Sequence, residues 1–248
     1  MDLSKNESHL VCECAKIASL PFVRESEDGI FCGVSRIDID KEGSLLVGRD
    51  EGRYVSIDFG ALCGLCREGL DEITAVTARE LTALIKRQGG AVGGILVAGL
   101  GNRRITHDSL GFRVCELLTP SEGLFVFAAE VSGKSGMESA RLVKCAAEAC
   151  GAGIVIAVDS LAARSEERVG RVIQLSEGGI KPASGVGAES ARLDRQSLGV
   201  PVLSVGIPTA LADYEHEGYL SVGEDLLDVC SVGAKIISDA IFAVNKPK

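Results

Sequence analysis

From Gly93 onward the chain alternates short, unbroken apolar runs with amphipathic stretches. Gly94–Ala98, Leu124–Ala129, Gly153–Val158 and Val200–Val205 are the runs, and unbroken apolar runs of this length mark strands buried on both faces. Leu110–Leu118, Gly136–Cys150 and Glu224–Val244 read as helices between or after them. In the last of these Leu227, Cys230, Ala234, Ile237 and Ile241 recur at steps of three or four residues, which aligns them on one helical face. Such alternation predicts an α/β fold with a mainly parallel sheet. Upstream, Phe31–Ile39 and Arg53–Phe59 carry β-branched residues between turn signals at Glu42-Gly43 and Glu51-Gly52, as strands of a meander do. Asp71–Gln88 is the first clear helix, with Ile73, Val76, Leu81, Leu84 and Ile85 on one face and Gly89-Gly90 as its stop. Residues 1–28 are polar apart from Val11–Val23, and read as a short helix or a loosely held arm. The expectation is one domain over residues 1–248: an arm at 1–28, a small N-terminal β-rich appendage at 29–70, and an α/β core at 71–248.

Composition narrows the functional classes. The 248 residues are 46% hydrophobic and 25% charged, an ordinary globular balance that rules out disorder as the dominant state. Aromatics are 4% with no Trp, which removes the stacking platforms of single-strand binders. Lys and Arg number 26 against 35 Asp and Glu, a net charge of −9 with no basic patch, so no direct contact with nucleic acid is expected. No apolar run reaches the ~18 residues that span a bilayer, so no membrane association is expected. The start, MDLSKNESHL, lacks the layout of a secretory signal. Nine scattered cysteines fit buried or surface thiols in a reducing cytoplasm.

Sites in open α/β sheets form beyond the carboxyl ends of strands. Two polar segments fall there: Gly99 to Asp108, and Asp159 to Arg168. Each brings a carboxylate, Asp108 and Asp159, and two carboxylates in one pocket push their pKa values apart into an acid and a base. Asp108 read alone is equally an N-cap for a helix starting at Ser109. Gly99, Gly101, Gly185 and Gly187 are expected to bring backbone close to the cleft, and Asn102 to orient the Asp108 loop by side-chain hydrogen bonds to backbone. Arg164 and Glu167 form the polar tail of the second segment. Arg164 is expected to hold the Asp159 loop, or a substrate carboxylate, by paired hydrogen bonds. Paired with Asp159 itself, it would keep that carboxylate ionised as the base and leave Asp108 as the protonated partner. The plain alternative is a solvated charged face.

Other motifs fail on spacing. Gly99-x-Gly101 meets Arg104 where a dinucleotide fingerprint needs glycine. Gly133-Lys134-Ser135 follows an expected strand, yet Ala128 stands where a phosphate loop needs its first glycine, which weakens a nucleotide-binding reading. Cys63-x-x-Cys66 has no second pair for a structural zinc site. There is no His-Glu-x-x-His and no Gly-x-Ser-x-Gly.

The segments GLGNRRITHDSLG (99–111), SGMES (135–139), IAVDSLAARSEERV (156–169), IQLSEGGIKPASGVG (173–187) and LGVPVLSVGIPT (198–209) together resemble the spore germination protease family. The resemblance implies a peptidase-like domain of three αβα layers with a mixed sheet, phosphorylase/hydrolase-like and similar to hydrogenase maturation proteases. It also implies an endopeptidase of small acid-soluble spore proteins, working in the spore or forespore interior, with room for a homo-oligomer. The family's proposed catalytic aspartates fall on Asp108 and Asp159. No cofactor is implied, while the hydrogenase proteases' metal-binding acids keep a metal-assisted peptidase open at the same site. The family's Thr-Pro-Asp-Ala-Leu-Gly-Pro stands here as Thr106-His107-Asp108-Ser109-Leu110-Gly111-Phe112. Neither the family's mature start nor its long insertion before the last helix is found, which motivates a third reading, a non-catalytic relative in sporulation or germination.

Overall fold

The computed structural model describes residues 10–13, 23–62, 64–129, 137–181, 191–213, 218–221 and 226–245. Nine strands form one sheet: β1 (Val23–Asp28), β2 (Cys32–Ile39), β3 (Gly52–Phe59), β4 (Ile95–Gly99), β5 (Leu124–Ala128), β6 (Ile154–Ala163), β7 (Val172–Ser176), β8 (Val202–Asp213) and β9 (Gly218–Ser221). Their order is β1-β2-β3-β7-β8-β6-β4-β5, with β9 added to β8. Six helices accompany them among the described residues: α1 (Lys41–Val47), α2 (Arg67–Arg87), α3 (Leu110–Leu117), α4 (Ser139–Cys150), α5 (Arg195–Leu198) and α6 (Leu226–Asn245).

Strict alternation along the strands builds three layers. Ile95, Val97, Ile154, Ile156 and Val158 face one way, into a core shared with α2, α3 and α6. Leu96, Ala98, Val155 and Ala157 face the other way, against Ala140, Val143 and Ala147 of α4. Ile37, Ile39 and Tyr54 bury Val47 of α1 on that second face.

The α/β class and the layering hold, but the sheet is not mainly parallel. Parallel pairing joins β5, β4, β6 and β8, whereas β1-β2, β2-β3, β3-β7, β7-β8 and β8-β9 are antiparallel. The cause is β7, which sequence reading passed over. Only a 3-10 turn, Glu166–Arg168, separates it from β6, so no crossover helix returns the chain in the parallel sense. β7 then pairs with β3 from Tyr54↔Ser176 to Asp58↔Val172, so the strands expected as an appendage continue the main sheet.

Local chemistry explains the other differences. The Glu42-Gly43 turn signal lies inside α1, where the Asp40 side chain accepts from Gly43 N–H at 2.8 Å and Gly48 ends the helix at φ 69°. The arm is anchored over its described part. Leu10, fully buried, sits among Leu161, Ala163 and Val172. Val11 N–H donates to Gln174 Oε1 at 2.7 Å, and the Glu13 carboxylate accepts from Arg164 and Ser165 N–H.

α3 lies so close to the sheet that only glycine fits at its second position: a Cβ on Gly111 would stand 2.4 Å from both Leu100 N and Val158 O. Gly111→Ala is therefore expected to destabilise the chain by about 1–3 kcal/mol, read as a lower urea midpoint at unchanged m-value. An unchanged midpoint would show that α3 can move off the strands freely.

Candidate active site

β4 is short, and its neighbour β6 outruns it. Gly99 is its last residue and pairs with Val158, so Asp159 is the first β6 residue beyond the β4 end, level with Gly206 of β8. Leu100 N–H donates to Val158 carbonyl at 2.8 Å, and the chain then turns away at Gly101 with φ 100°.

The loop that follows closes on itself. Asn102 N–H donates to Asp108 carbonyl (2.7 Å), Ile105 N–H to Asn102 carbonyl (3.0 Å) and Asp108 N–H to Ile105 carbonyl (2.9 Å). Asn102 Oδ1 accepts from Arg104 N–H at 3.0 Å, the side-chain-to-backbone role expected of it. A 3-10 turn, Thr106–Asp108, completes the loop. Three elements then hold that turn. The Thr209 hydroxyl of β8 donates to His107 carbonyl at 2.5 Å. Cys230 Sγ of α6 contacts Thr106 carbonyl at 3.2 Å. Ser109 Oγ donates to the same carbonyl at 2.8 Å and accepts from Arg113 Nε at 3.0 Å. Ser109, not Asp108, is the N-cap residue of α3, and no side chain caps that helix. The capping account of Asp108 therefore fails.

The two carboxyls lie close enough for the charge of one to act on the other, and both are raised. Burial pushes Asp108 up to about 6, opposed by the Asn102 N–H. Asp159, 7% exposed, is held well above the ordinary range, first by burial and then by the charge of Asp108, with Ser160 N–H opposing at 2.9 Å. Charge on Asp108 thus favours the protonated form of Asp159. Burial lowers His107, which keeps that imidazole neutral at pH 7.

The remaining expected residues fall in different places. A Cβ on Gly101 would lie 2.2 Å from Asp108 carbonyl O and 2.7 Å from Oδ1, the close approach expected there. Gly99 faces α3 instead, with a Cβ 2.2 Å from Gly111 O. Arg164 and Glu167 are exposed. β6 runs straight on to Ala163 rather than turning back, so Arg164 stands roughly 16 Å along the strand from Asp159 at ~3.3 Å per residue. The influences on Asp159 are burial, Asp108 and Ser160, not a guanidinium. Gly185, Gly187 and the Gly133-Lys134-Ser135 motif lie outside the described residues, as does Cys63. Sequence reading missed Thr209, Cys230 and Gly206. The one available signal was Pro208 within a central strand, since proline inside a sheet marks a bulge. Among the described residues no three His, Cys, Asp or Glu side chains converge as a metal site requires.

Fold and site thus define an α/β protein with two carboxyls raised by burial at the end of a short central strand. The profile of the family described as germination protease matches residues 3–215, and the chain belongs to that family. It is 34% identical over 206 residues to the germination protease of Bacillus subtilis, covering 77% of this chain and 56% of that protein. Against the germination protease of Clostridium perfringens it is 33% identical over 194 residues, covering 72% of this chain and 59% of that one. The chain therefore spans under two thirds of the length of these relatives. Among solved structures, the [NiFe] hydrogenase maturation protease HycI from Thermococcus kodakarensis aligns with a TM-score of 0.43 and 15% identity, over 66% of this chain and 99% of that one. No described helix is long and apolar enough to cross a membrane.

Two expectations follow. Both carboxyls keep protons in the folded chain at pH values where the unfolded chain has lost them. The folded state thus binds more protons from about pH 3.8 up through about 6, and stability falls as pH rises across that window. Thermal melts should show Tm decreasing from pH 4 to pH 7, and Asp159→Asn should flatten that decline and raise Tm at pH 7. A parent protein more stable at pH 7 than at pH 4, with no change in the variant, would contradict it. Separately, Gly101→Ala should cost about 1–3 kcal/mol through its positive φ. It should also displace Asp108, so that the carboxyl titrates nearer 3.8 by 13C NMR. A stable Gly101→Ala protein with unmoved titration would remove the close approach from the site.

Proposed function

We propose that the protein is an endopeptidase in which Asp108 and Asp159 share the work on one water molecule. The supporting observation is a pair of carboxyls beyond the β4 end, both raised by burial and one acting on the other, in a chain of the germination protease family. At neutral pH Asp108 is the ionised member and accepts a proton from water as it attacks the peptide carbonyl. Asp159 donates its proton to the carbonyl oxygen as the tetrahedral intermediate forms. As the C–N bond breaks, Asp108 passes the proton taken from water to the departing amine nitrogen and Asp159 recovers one from an intermediate hydroxyl, leaving a carboxylic acid and an amine. Its position within a continuous strand, beyond the β4 end and level with β8, holds its backbone in place for that donation. The substrate class that goes with this reading is the small acid-soluble spore proteins, and the setting the spore interior.

Incubation with such a spore protein tests the reading. Asp108→Asn and Asp159→Asn should each reduce kcat by about 10²- to 10⁴-fold. Both variants should keep the parent's circular dichroism, and a chelator should leave the parent's activity intact. Cleavage by either Asn variant at the parent's rate would overturn the carboxyl pair. Activity lost to chelator and restored by a divalent metal would replace it with metal-assisted hydrolysis. A parent chain that cleaves nothing would point to a non-catalytic relative.

A further inference from the structure

β6 and β8 run in register from Val155↔Val202 to Leu161↔Pro208, and then the pairing slips. Ala162 faces Ala210, so Thr209 is an extra residue with no partner on β6. On its other side β8 also changes neighbours there: pairing with β7 reaches only Gly206, and pairing with β9 begins at Ala210. A bulge of this kind breaks the two-residue alternation and re-aims one side chain. The re-aimed side chain is completely buried, and its hydroxyl meets His107 carbonyl at 2.5 Å, one peptide before Asp108.

We propose that Thr209 is a positioning residue: its bulged, buried hydroxyl fixes the His107 carbonyl and so holds the Asp108 side chain beside Asp159. This rests on the reading of Asp108 and Asp159 as the catalytic pair. The chemistry favours a hydroxyl there over an equal-sized apolar group. Valine would fill the same space, but it would leave the partly buried carbonyl without this donor, and a polar group that loses its partner away from full solvent is costly enough to shift the turn. The anchor is independent of the loop's own hydrogen bonds, because β8 is tied to the sheet on both sides of the bulge. Pro208 adds to the tie, since its carbonyl accepts from Gly170 N–H at 2.8 Å. Other charged or titratable groups around the turn are Asp159 on β6, His107 within it, Cys230 on α6, and Arg113 on α3, the last held by Ser109 and Ser231.

The test compares Thr209→Val, which keeps shape and loses the donor, with Thr209→Ser, which keeps the donor. Each full chain is followed by carboxyl 13C NMR titration and by kcat and KM on a spore-protein substrate. Thr209→Val should move the Asp108 titration from about 6 toward 3.8. It should lower kcat by about 10- to 100-fold with KM little changed, the effect of a small misplacement. Thr209→Ser should match the parent in both. Should the valine variant not fold, Thr209→Cys keeps the volume with a weaker donor and should fall between the two. The proposal is overturned if Asp108 titrates in Thr209→Val as in the parent, or if Thr209→Ser is as defective as Thr209→Val, which would make the role one of volume. The titration reads positioning without any turnover. Activity unaffected in Asp108→Asn would thus sink the catalytic reading while the NMR result still decides the role of Thr209.

Discussion

Two carboxyl groups leave water at one point of this fold, where β4 stops and β6 continues, and the surrounding structure is arranged around that desolvation. Burial is the first cause of the raised affinity for protons at both Asp108 and Asp159. An ionised carboxylate out of water is costly unless it is paired or hydrogen-bonded. The fold supplies each with one opposing backbone N–H, from Asn102 and from Ser160. One such donor softens the cost without abolishing it. Both carboxyls are therefore held above the ordinary carboxylate range, and charge on Asp108 raises Asp159 further.

Crowding makes that burial attainable. Gly111 lets α3 press onto Leu100 and Val158, Gly101 lets the loop pass against Asp108, and Gly206 lets β8 lie against Asp159 carbonyl, 2.5 Å from where its Cβ would be. Each glycine removes a side chain that would otherwise wedge the elements apart and admit water. The fully buried Leu110 and Ile207 fill the core beneath. The site's electrostatics are thus a consequence of packing, and a larger residue at any of these positions would act on the titration through solvent access.

The elements legible in the sequence were those with strong internal periodicity: the strands around Leu96, Phe125 and Ile156, the helix α2, and the last helix. Asp108 and Asp159 were legible too, because strand-end carboxylates stand out against apolar runs. Topology was not. β7 is only five residues long, Val172–Ser176, and carries Gln174 and Ser176. Nothing in it announces that it runs antiparallel between β3 and β8, since strand direction is set by the missing crossover helix and not by the strand itself. The role of Arg164 was misplaced for a related reason. The strand was expected to end at Val158, and five more residues of β6 carry the guanidinium away from the carboxyl. Thr209 was invisible because the bulge that re-aims it exists only in the register between two strands.

These two misreadings have one origin and explain how the pair divides its labour. Because β6 outruns β4, Asp159 sits within a continuous strand, with β8 level beside it, and has little freedom to move. Asp108 sits on a loop fixed by contacts from β8, α6 and α3, any of which can shift it. A rigid strand suits the group that must keep its proton, since burial and the neighbouring charge act on it without any adjustment. An anchored loop suits the group that ionises, because its distance from Asp159 sets how strongly the second proton is held. The proton affinity of the rigid residue, set first by burial, is thereby raised further from the loop, and the length of β6 beyond β4 is what makes that arrangement geometrically available.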